Sequence, residues 1–497
     1  MKKTVFMTGA TGNMGWAGFL ELLGKKDSFN IRLIARPSKK NRKKLAPYLN
    51  DPSVEVVWGN MMDYDAVARG VSGADFVLHV GGMVSPAADY WPEKTLETNV
   101  RSAENIVRAV LAQQDKGKYV KVVYIGSVAQ CGDRMPPLHW GEAGEPVYAS
   151  LYDKYSVSKC MAERIIADSG IKYWVSLRQT GILYPGIFRQ INPVAMHVPI
   201  KGVLEWATVE DSGRLLANVV EDWVPEEFWN RFYNISSGEE YRLVNYEFEN
   251  KLLAPLGIMS VEKVFEPHWF ATKNFHGMWY KDADILEKYL HFRRNIPVDE
   301  YFRDLASRLP WYYSLAGFVP SFIIKAVMRI LAKEKPLGTL YWAAHDEERL
   351  NAYYGSRKEY EDIVSWKQMR PEPLEKNLEK ARMAGQVTEL PKGYDDTRSI
   401  YSLTAEEVEA AAEFRGGRFL GPAESLGKKG SIFEWECENG HRFKSSLEYI
   451  LLGGGWCPEC GYDKVYTTTT GKNRFISAVL SPQCREQALR QDSRADE

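Results

Sequence analysis

The stretch Thr4-Val5-Phe6-Met7-Thr8-Gly9-Ala10-Thr11-Gly12-Asn13-Met14-Gly15 decides the fold. A short apolar run ends in three glycines spaced by three, and an amphipathic stretch follows. Glycine at 9, 12 and 15 permits a tight turn, close backbone approach to a pyrophosphate, and close contact of helix on sheet. The phosphates then sit on exposed amides at the helix N-terminus, within the loop that also carries Thr11, Asn13 and Met14. The spacing is GxxGxxG rather than GxGxxG, and its place directly after the first strand of a βαβ pattern strengthens it.

Outward from this loop, apolar runs recur at residues 31–35, 54–58, 76–80, 120–125 and 174–177, with amphipathic stretches between them, most clearly 98–113. Buried runs alternating with helices indicate a parallel sheet covered on both faces and joined by right-handed crossovers. The pattern loosens from Gly181 to about Pro297, with a helix expected over 210–220 and a strand-like run at 231–235. This part is expected to form a small lid over the carboxyl edge of the sheet. Residues 301–415 carry Leu, Ala, Glu, Lys, Arg and aromatics at helical spacing. Gly416–Pro422 reads as a boundary before a short aromatic module. The expected class is α/β: a Rossmann-type doubly wound parallel sheet with a lid over residues 1–300, a helical extension over 301–415, a zinc-ribbon-like module over 416–470 and a fraying tail over 471–497.

The 497 residues are 45% hydrophobic and 26% charged, which excludes wholesale disorder. Lys and Arg number 64 against 65 Asp and Glu, so binding of nucleic acid through a broad basic surface is not expected. Six cysteines in this length do not make a disulfide scaffold. The start of the chain runs straight into a strand without a signal-peptide pattern, and a reducing, cytoplasmic setting is expected.

Chemistry-bearing residues follow in order. The second strand ends at Ile34-Ala35-Arg36, where an acid would grip a ribose 2′-hydroxyl; Arg36, followed by Ser38, Lys39 and Lys40, suits a 2′-phosphate instead. NADP is therefore favoured, with NAD second. Tyr155-Ser156-Val157-Ser158-Lys159 places a phenol and an ammonium on one face of a helix. The lysine is expected to shift the phenol toward neutrality, so that Tyr155 can exchange a proton with an alcohol or alkoxide. Ser127 follows the apolar strand 120–125 and is placed to hold the substrate oxygen.

Together these features resemble the extended short-chain dehydrogenase/reductases, the NAD-dependent epimerase/dehydratase branch, over about residues 3–300. The marks are Thr8–Gly15, Gly59–Asp63, His79–Gly82, Asn99-Val100, Ile125–Ser127, Tyr155/Lys159, Arg178–Gly186 and Val209–Asp211. The resemblance implies a Ser127–Tyr155–Lys159 triad, with Lys159 also holding the nicotinamide ribose. It places Asn60 and Met61 beside the adenine, Val80, Gly81 and Gly82 along the cofactor, and Asn99 among the cofactor-site residues. Gly81-Gly82 replaces the commoner Ala-Ala, which reads as a mild change. Gly181 stands where sugar-nucleotide enzymes usually carry Asn. That departure favours an NAD(P)-dependent oxidoreductase acting on a hydrophobic alcohol or ketone, such as a steroid- or flavonoid-like ring. The alternatives are a nucleotide-sugar epimerase or dehydratase with recycled NAD, and a nucleotide-sensing scaffold. Homodimerisation is a family habit. His139 is expected to pack in its loop rather than act as a second acid, and Cys131 is a candidate pocket-lining residue.

Cys437, His441, Cys457 and Cys460 form CxxxH and CxxC pairs fifteen residues apart, a spacing suited to one tetrahedral, structural zinc. Trp435, Phe443 and Trp456 are its candidate core. Cys131, Cys160 and Cys484 read as ordinary free thiols. Residues 311–324 are unusually apolar, and Lys325, Arg329 and Lys333 follow. A helix packed on the catalytic domain is the favoured reading there; peripheral membrane contact over 311–333 is the other.

Overall fold

The computed structural model of the chain describes residues 2–462 and 472–480. Seven strands form the main sheet: β1 (Lys3–Thr8), β2 (Phe29–Ala35), β3 (Val54–Trp58), β4 (Phe76–His79), β5 (Lys121–Ser127), β6 (Trp174–Gln179) and β7 (Arg231–Ile235). Their order is β7-β6-β5-β4-β1-β2-β3, and every pairing is parallel. Side chains alternate across the strands: Val5 and Met7 face one core layer and Phe6 the other. Helices α1 (Asn13–Leu23), α2 (Lys39–Leu45), α3 (Tyr64–Val71), α4 (Pro92–Gln114), α5 (Lys154–Ala167) and α6 (Val209–Asn218) cover the two faces. Strand order reverses between β1 and β4, and this switch point opens a crevice at the carboxyl ends, where Thr8–Gly12 and His79–Gly82 meet.

One expectation shifts. The run at 231–235 is not part of the lid but pairs along Val175–Gln179 as the edge strand of the main sheet. Its apolar residues Phe232 and Ile235 are buried in the two core layers, which explains the return of the chain to the sheet. Between β6 and β7, and again after β7, the lid is built from short paired segments and from helix α7 (Asn245–Leu253).

The expected helical extension is present as short helices, including α8 (Ser321–Ala332). Beyond it, β8 (Arg418–Gly421), β9 (Ile432–Glu436) and β10 (Arg442–Ser446) make a three-stranded antiparallel sheet. This module is fused to the domain built on the main sheet. Phe433, Trp435 and Trp456 share one apolar cluster with Phe6, Val122 and Trp174. Arg164 of α5 donates to the carbonyls of Trp456 (2.8 Å) and Lys444 (3.0 Å). Asp168, just past α5, accepts from Ser445 Oγ and from the amide and hydroxyl of Ser446. The tail is described only over 472–480; Cys484 lies outside the described residues.

Helix α5 is also tied to the sheet by a buried ion pair. Arg178 of β6 meets Glu163 at 2.7 Å through Nη2 and 3.1 Å through Nε, and Ser176 Oγ donates to the same carboxylate. Both charged side chains are fully buried. Removing one partner leaves an uncompensated charge in the interior. Glu163→Ala is therefore expected to lower unfolding free energy by about 3–5 kcal/mol, read by urea denaturation; a loss under about 1 kcal/mol would contradict this account of α5.

Candidate functional site

The glycine loop is shaped by steric necessity at two points. Gly9 has φ +71°, and a Cβ there would lie 2.6 Å from the backbone of Gly81. A Cβ on Gly15 would come 2.3 Å from the Gly9 carbonyl. Gly12 caps α1 in an extended conformation without a side-chain acceptor, and the first turn of α1 holds no acid, so its amides are open to an anion. Gly81 proves less interchangeable with alanine than the sequence suggests, because a Cβ would lie 3.1 Å from the Gly9 backbone nitrogen and 3.0 Å from Thr8 Oγ1. Asn60 is exposed and its side chain accepts from the Met62 amide. Asn99 is buried, and its amide is taken up by Met83 and by Ser158 of α5, so it braces the 82–83 loop.

Ser127, Tyr155 and Lys159 converge at the carboxyl end of β5. Asp153 caps α5 by accepting from the Ser156 amide (2.9 Å), which fixes the first turn, where Tyr155 stands. The Ser127 side chain lies beside the Tyr155 hydroxyl and favours its ionised form. Lys159 Nζ donates to the Ile125 carbonyl at 2.8 Å and lies 6.0 Å from the centre of the Tyr155 ring. The expected electrostatics are not met. Burial pushes the Tyr155 phenol up to about 12, Ser127 opposes this, and Asp153 and Asp89 raise it further. Burial brings Lys159 down to about 8. Asp89 itself is raised to about 6, chiefly by burial, and His276 Nδ1 lies 3.4 Å from Asp153. The sequence reading missed this acidic surround. Asp153 was detectable as a helix cap; Asp89 had no local signal.

At the ribose end, Arg36, Lys39 and Lys40 are exposed at the start of α2, and no acid stands at the end of β2. Lys44, one turn on, donates to the Thr11 carbonyl and folds the basic helix back over the glycine loop.

A cavity of about 310 Å³ opens beside Val128, next to Ser127, and runs under the lid. Its walls are mostly apolar, among them Met135, Leu204, Trp206, Phe248 and Leu252. Trp206 stacks on Phe248 with centroids 4.1 Å apart. A Cβ on Gly181 would lie 2.6 Å from the Trp206 ring, so the tryptophan fills the space a larger residue would take. Arg134, which lines the cavity, is bound to buried Glu145 at 2.8 Å. Glu249, on α7, lines the same cavity, is buried without an ion pair among the described residues, and is raised to about 7 by burial. His139 and Cys131 lie elsewhere: His139 packs edge-on against Trp279, and Cys131 joins Val128, Met278 and Tyr280 in the core.

Cys437, His441, Cys457 and Cys460 bring their ligand atoms within 4.8 Å of one another. Sulfur to His441 Nδ1 distances are 3.4–3.6 Å, and Cys437 to Cys460 is 3.7 Å. Tetrahedral zinc with ordinary Zn–S and Zn–N bonds needs edges of about 3.5–3.8 Å. The donor set therefore fits. Trp435, Phe443 and Trp456 pack together behind it, as expected.

With this geometry in hand, residues 5–184 match the NAD dependent epimerase/dehydratase family. Among curated proteins the domain is similar to UDP-glucose 4-epimerase of Rickettsia bellii (strain RML369-C), 29% identical over 129 residues, or 25% of this chain and 36% of that one. The chain thus spans about a third of the length of the curated relatives it matches. Among solved structures it is similar to the dTDP-glucose 4,6-dehydratase of Bacillus anthracis str. Ames in complex with NAD, with 14% identity and a TM-score of 0.48 over 62% of this chain and 96% of that chain. The UDP-glucose 4-epimerase of Bifidobacterium longum in complex with NAD+ and UDP gives 16% identity and a TM-score of 0.47 over 64% of this chain and 100% of that chain.

Because the Cys/His module shares its core with the main-sheet domain, losing one of these four side chains should be felt by the whole chain. Cys457→Ser is expected to destabilise the protein by about 3 kcal/mol or more, and chelation should destabilise the native chain but not the variant. Equal melting temperatures for native, chelated and variant protein would contradict a metal-completed core.

Proposed function

We propose that the chain moves hydride between a nicotinamide dinucleotide and the alcohol or ketone carbon of its substrate. The observation that carries this reading is the convergence of Ser127, Tyr155 and Lys159 at the mouth of the glycine-lined crevice, with Lys159 Nζ fixed on the Ile125 carbonyl. Ser127 holds the substrate oxygen, and Tyr155 takes its proton in oxidation or returns one in reduction. Lys159, beside Gly82, holds the ribose hydroxyls. A bound oxidised nicotinamide supplies the hydride acceptor and a positive charge. Tyr155 has to give up its own proton before it can act as a base, and burial with Asp153 and Asp89 opposes that step. Oxidation is therefore favoured as pH rises, whereas reduction uses the protonated phenol already present at neutral pH.

For the dinucleotide, the exposed Arg36, Lys39 and Lys40 support NADP, with NAD second. For the ion in the Cys437–His441–Cys457–Cys460 set, three sulfurs and one nitrogen support zinc. A full shell leaves no position for water, so its role is structural.

For the substrate, the relatives are UDP-glucose 4-epimerases, which supports a nucleotide-linked sugar and a dinucleotide recycled within each turnover. This was the alternative in the sequence reading, and the comparisons favour it over a steroid-like ring. A second reading keeps the hydrophobic alcohol or ketone. It is supported by the apolar cavity, where Trp206 fills the space beside Gly181, Arg134 is already paired, and Glu249 would repel a diphosphate.

Purified protein assayed with UDP-hexoses and with apolar ring alcohols separates the two. Sugar isomerisation without net change in nicotinamide absorbance supports the first, and stoichiometric reduction supports the second. Tyr155→Phe is expected to lower turnover by about 10²–10⁴-fold while dinucleotide affinity stays. The oxidation rate should climb with pH between about 7 and 9. A Tyr155→Phe enzyme of undiminished turnover would overturn the reading. Arg36→Asp is expected to weaken NADP binding by about 10- to 100-fold relative to NAD, measured by calorimetry; an unchanged ratio would refute the assignment of the 2′-phosphate.

A further inference from the structure

Residues 311–332 expose more apolar surface than packing on the catalytic domain accounts for. The 3-10 segment Trp311–Phe318 and helix α8 follow one another with a bend of 108°. Along α8, Ile324, Met328 and Leu331 pack against a cluster containing Met196, Leu253 and Phe265. That inner stripe is the expected one. The outer stripe of an ordinary surface helix would be polar. Here it is Phe322, Ile323, Val327 and Ile330, with Phe322 73% and Ile330 71% exposed. Across the bend, Trp311 is 78% and Phe318 85% exposed. A contiguous set of this kind marks an interaction surface.

Charge narrows the occupant. From Leu305 to Lys333 there is no acidic residue, while Arg308, Lys325, Arg329 and Lys333 are basic. Lys325, Arg329 and Lys333 recur every four residues and so line one edge of the outer stripe. Lys325 is paired with Glu266 at 3.0 Å, whereas Arg329 and Lys333 make no ion pair among the described residues. A second copy of this chain docked on the same patch by a two-fold axis would set these cations against their equivalents. The complement required is broad, apolar beneath and anionic above. Among the described residues no single helix is long and apolar enough to cross a bilayer; the bent pair passes that test only taken together, and with Ile324, Met328 and Leu331 packed on the protein, α8 suits an arrangement lying in the interface plane. Trp311, Tyr312 and Tyr313 supply rings of the kind favoured at headgroup depth.

We infer that residues 311–333 dock the protein onto an anionic membrane surface, with Trp311, Phe318, Phe322 and Ile330 inserted below the headgroups and Arg329 and Lys333 on the lipid phosphates. The inference does not depend on the substrate. It does place that surface one helix away from the cavity, because α7 carries Phe248, Glu249 and Leu252 on the cavity wall and Leu253 under α8.

The test is flotation of the full chain with vesicles of phosphatidylcholine alone or mixed with phosphatidylglycerol. The native protein should float with the mixed vesicles, much less with phosphatidylcholine alone, and less in high salt. Arg329→Glu/Lys333→Glu should cut the bound fraction about tenfold or more, and Phe318→Ser/Phe322→Ser/Ile330→Ser should abolish it. All five positions are exposed, and unchanged circular dichroism shows that the variants are folded. Native protein that stays at the bottom with both vesicle types overturns the inference. So does variant protein that floats like the native, or patch substitutions that only split a dimer seen by light scattering.

Discussion

Arg178 lies fully buried where three parts of the molecule meet, and the site is organised around it. Its guanidinium holds Glu163 of α5 in a two-point ion pair, donates to the Gly453 carbonyl of the C-terminal module at 2.6 Å, and lies 5.4 Å from the centre of the Phe232 ring on the edge strand. A charge taken so far from water persists only when its donors meet fixed acceptors. Those acceptors come from helix and module at once, with the Phe232 ring of the edge strand beside them. The consequence is positional. Glu163 stands one turn beyond Lys159 and two beyond Tyr155, so the pair sets the rotation of α5 and thereby what its first turn presents to the crevice.

The C-terminal module extends the same constraint. Arg164 and Asp168 tie the outer end of α5 to β10 and to Trp456, while Val147 and Ala149, on the loop before α5, donate to the Gly454 and Tyr462 carbonyls. Both flanks of the Tyr155 segment therefore lean on a structure whose small core packs beside four Cys and His side chains drawn together. A short β-sheet with so few apolar residues is an unlikely independent unit. Sharing its core with the parallel sheet resolves that difficulty.

The parallel sheet was legible because doubly covered strands read as apolar runs and because the glycine loop follows the first of them; β3 matches its sequence reading residue for residue. The trio Ser127, Tyr155 and Lys159 was legible from spacing, and the four Cys/His ligands from their paired knuckles. Non-local consequences were not. The run 231–235 joins the main sheet beside β6, a partner more than fifty residues away in sequence that no local pattern reveals. Gly81 looks exchangeable until Thr8 and Gly9 are seen against it. The direction of the Tyr155 shift depends on burial and on Asp89, a residue with no helical relation to Tyr155. Glu249 sits in an ordinary amphipathic helix, and only the cavity gives it meaning.

The central claim is that Tyr155 exchanges a proton at a bound nicotinamide, which requires its phenol to respond to charge placed in the crevice. Carbon-13 NMR of ring-labelled tyrosine, with Tyr155 assigned by its loss in Tyr155→Phe, measures this directly as pH is raised with and without oxidised dinucleotide. The account predicts a phenol that titrates near 12 alone and distinctly lower when the dinucleotide is bound. A titration that the dinucleotide leaves unmoved would contradict it.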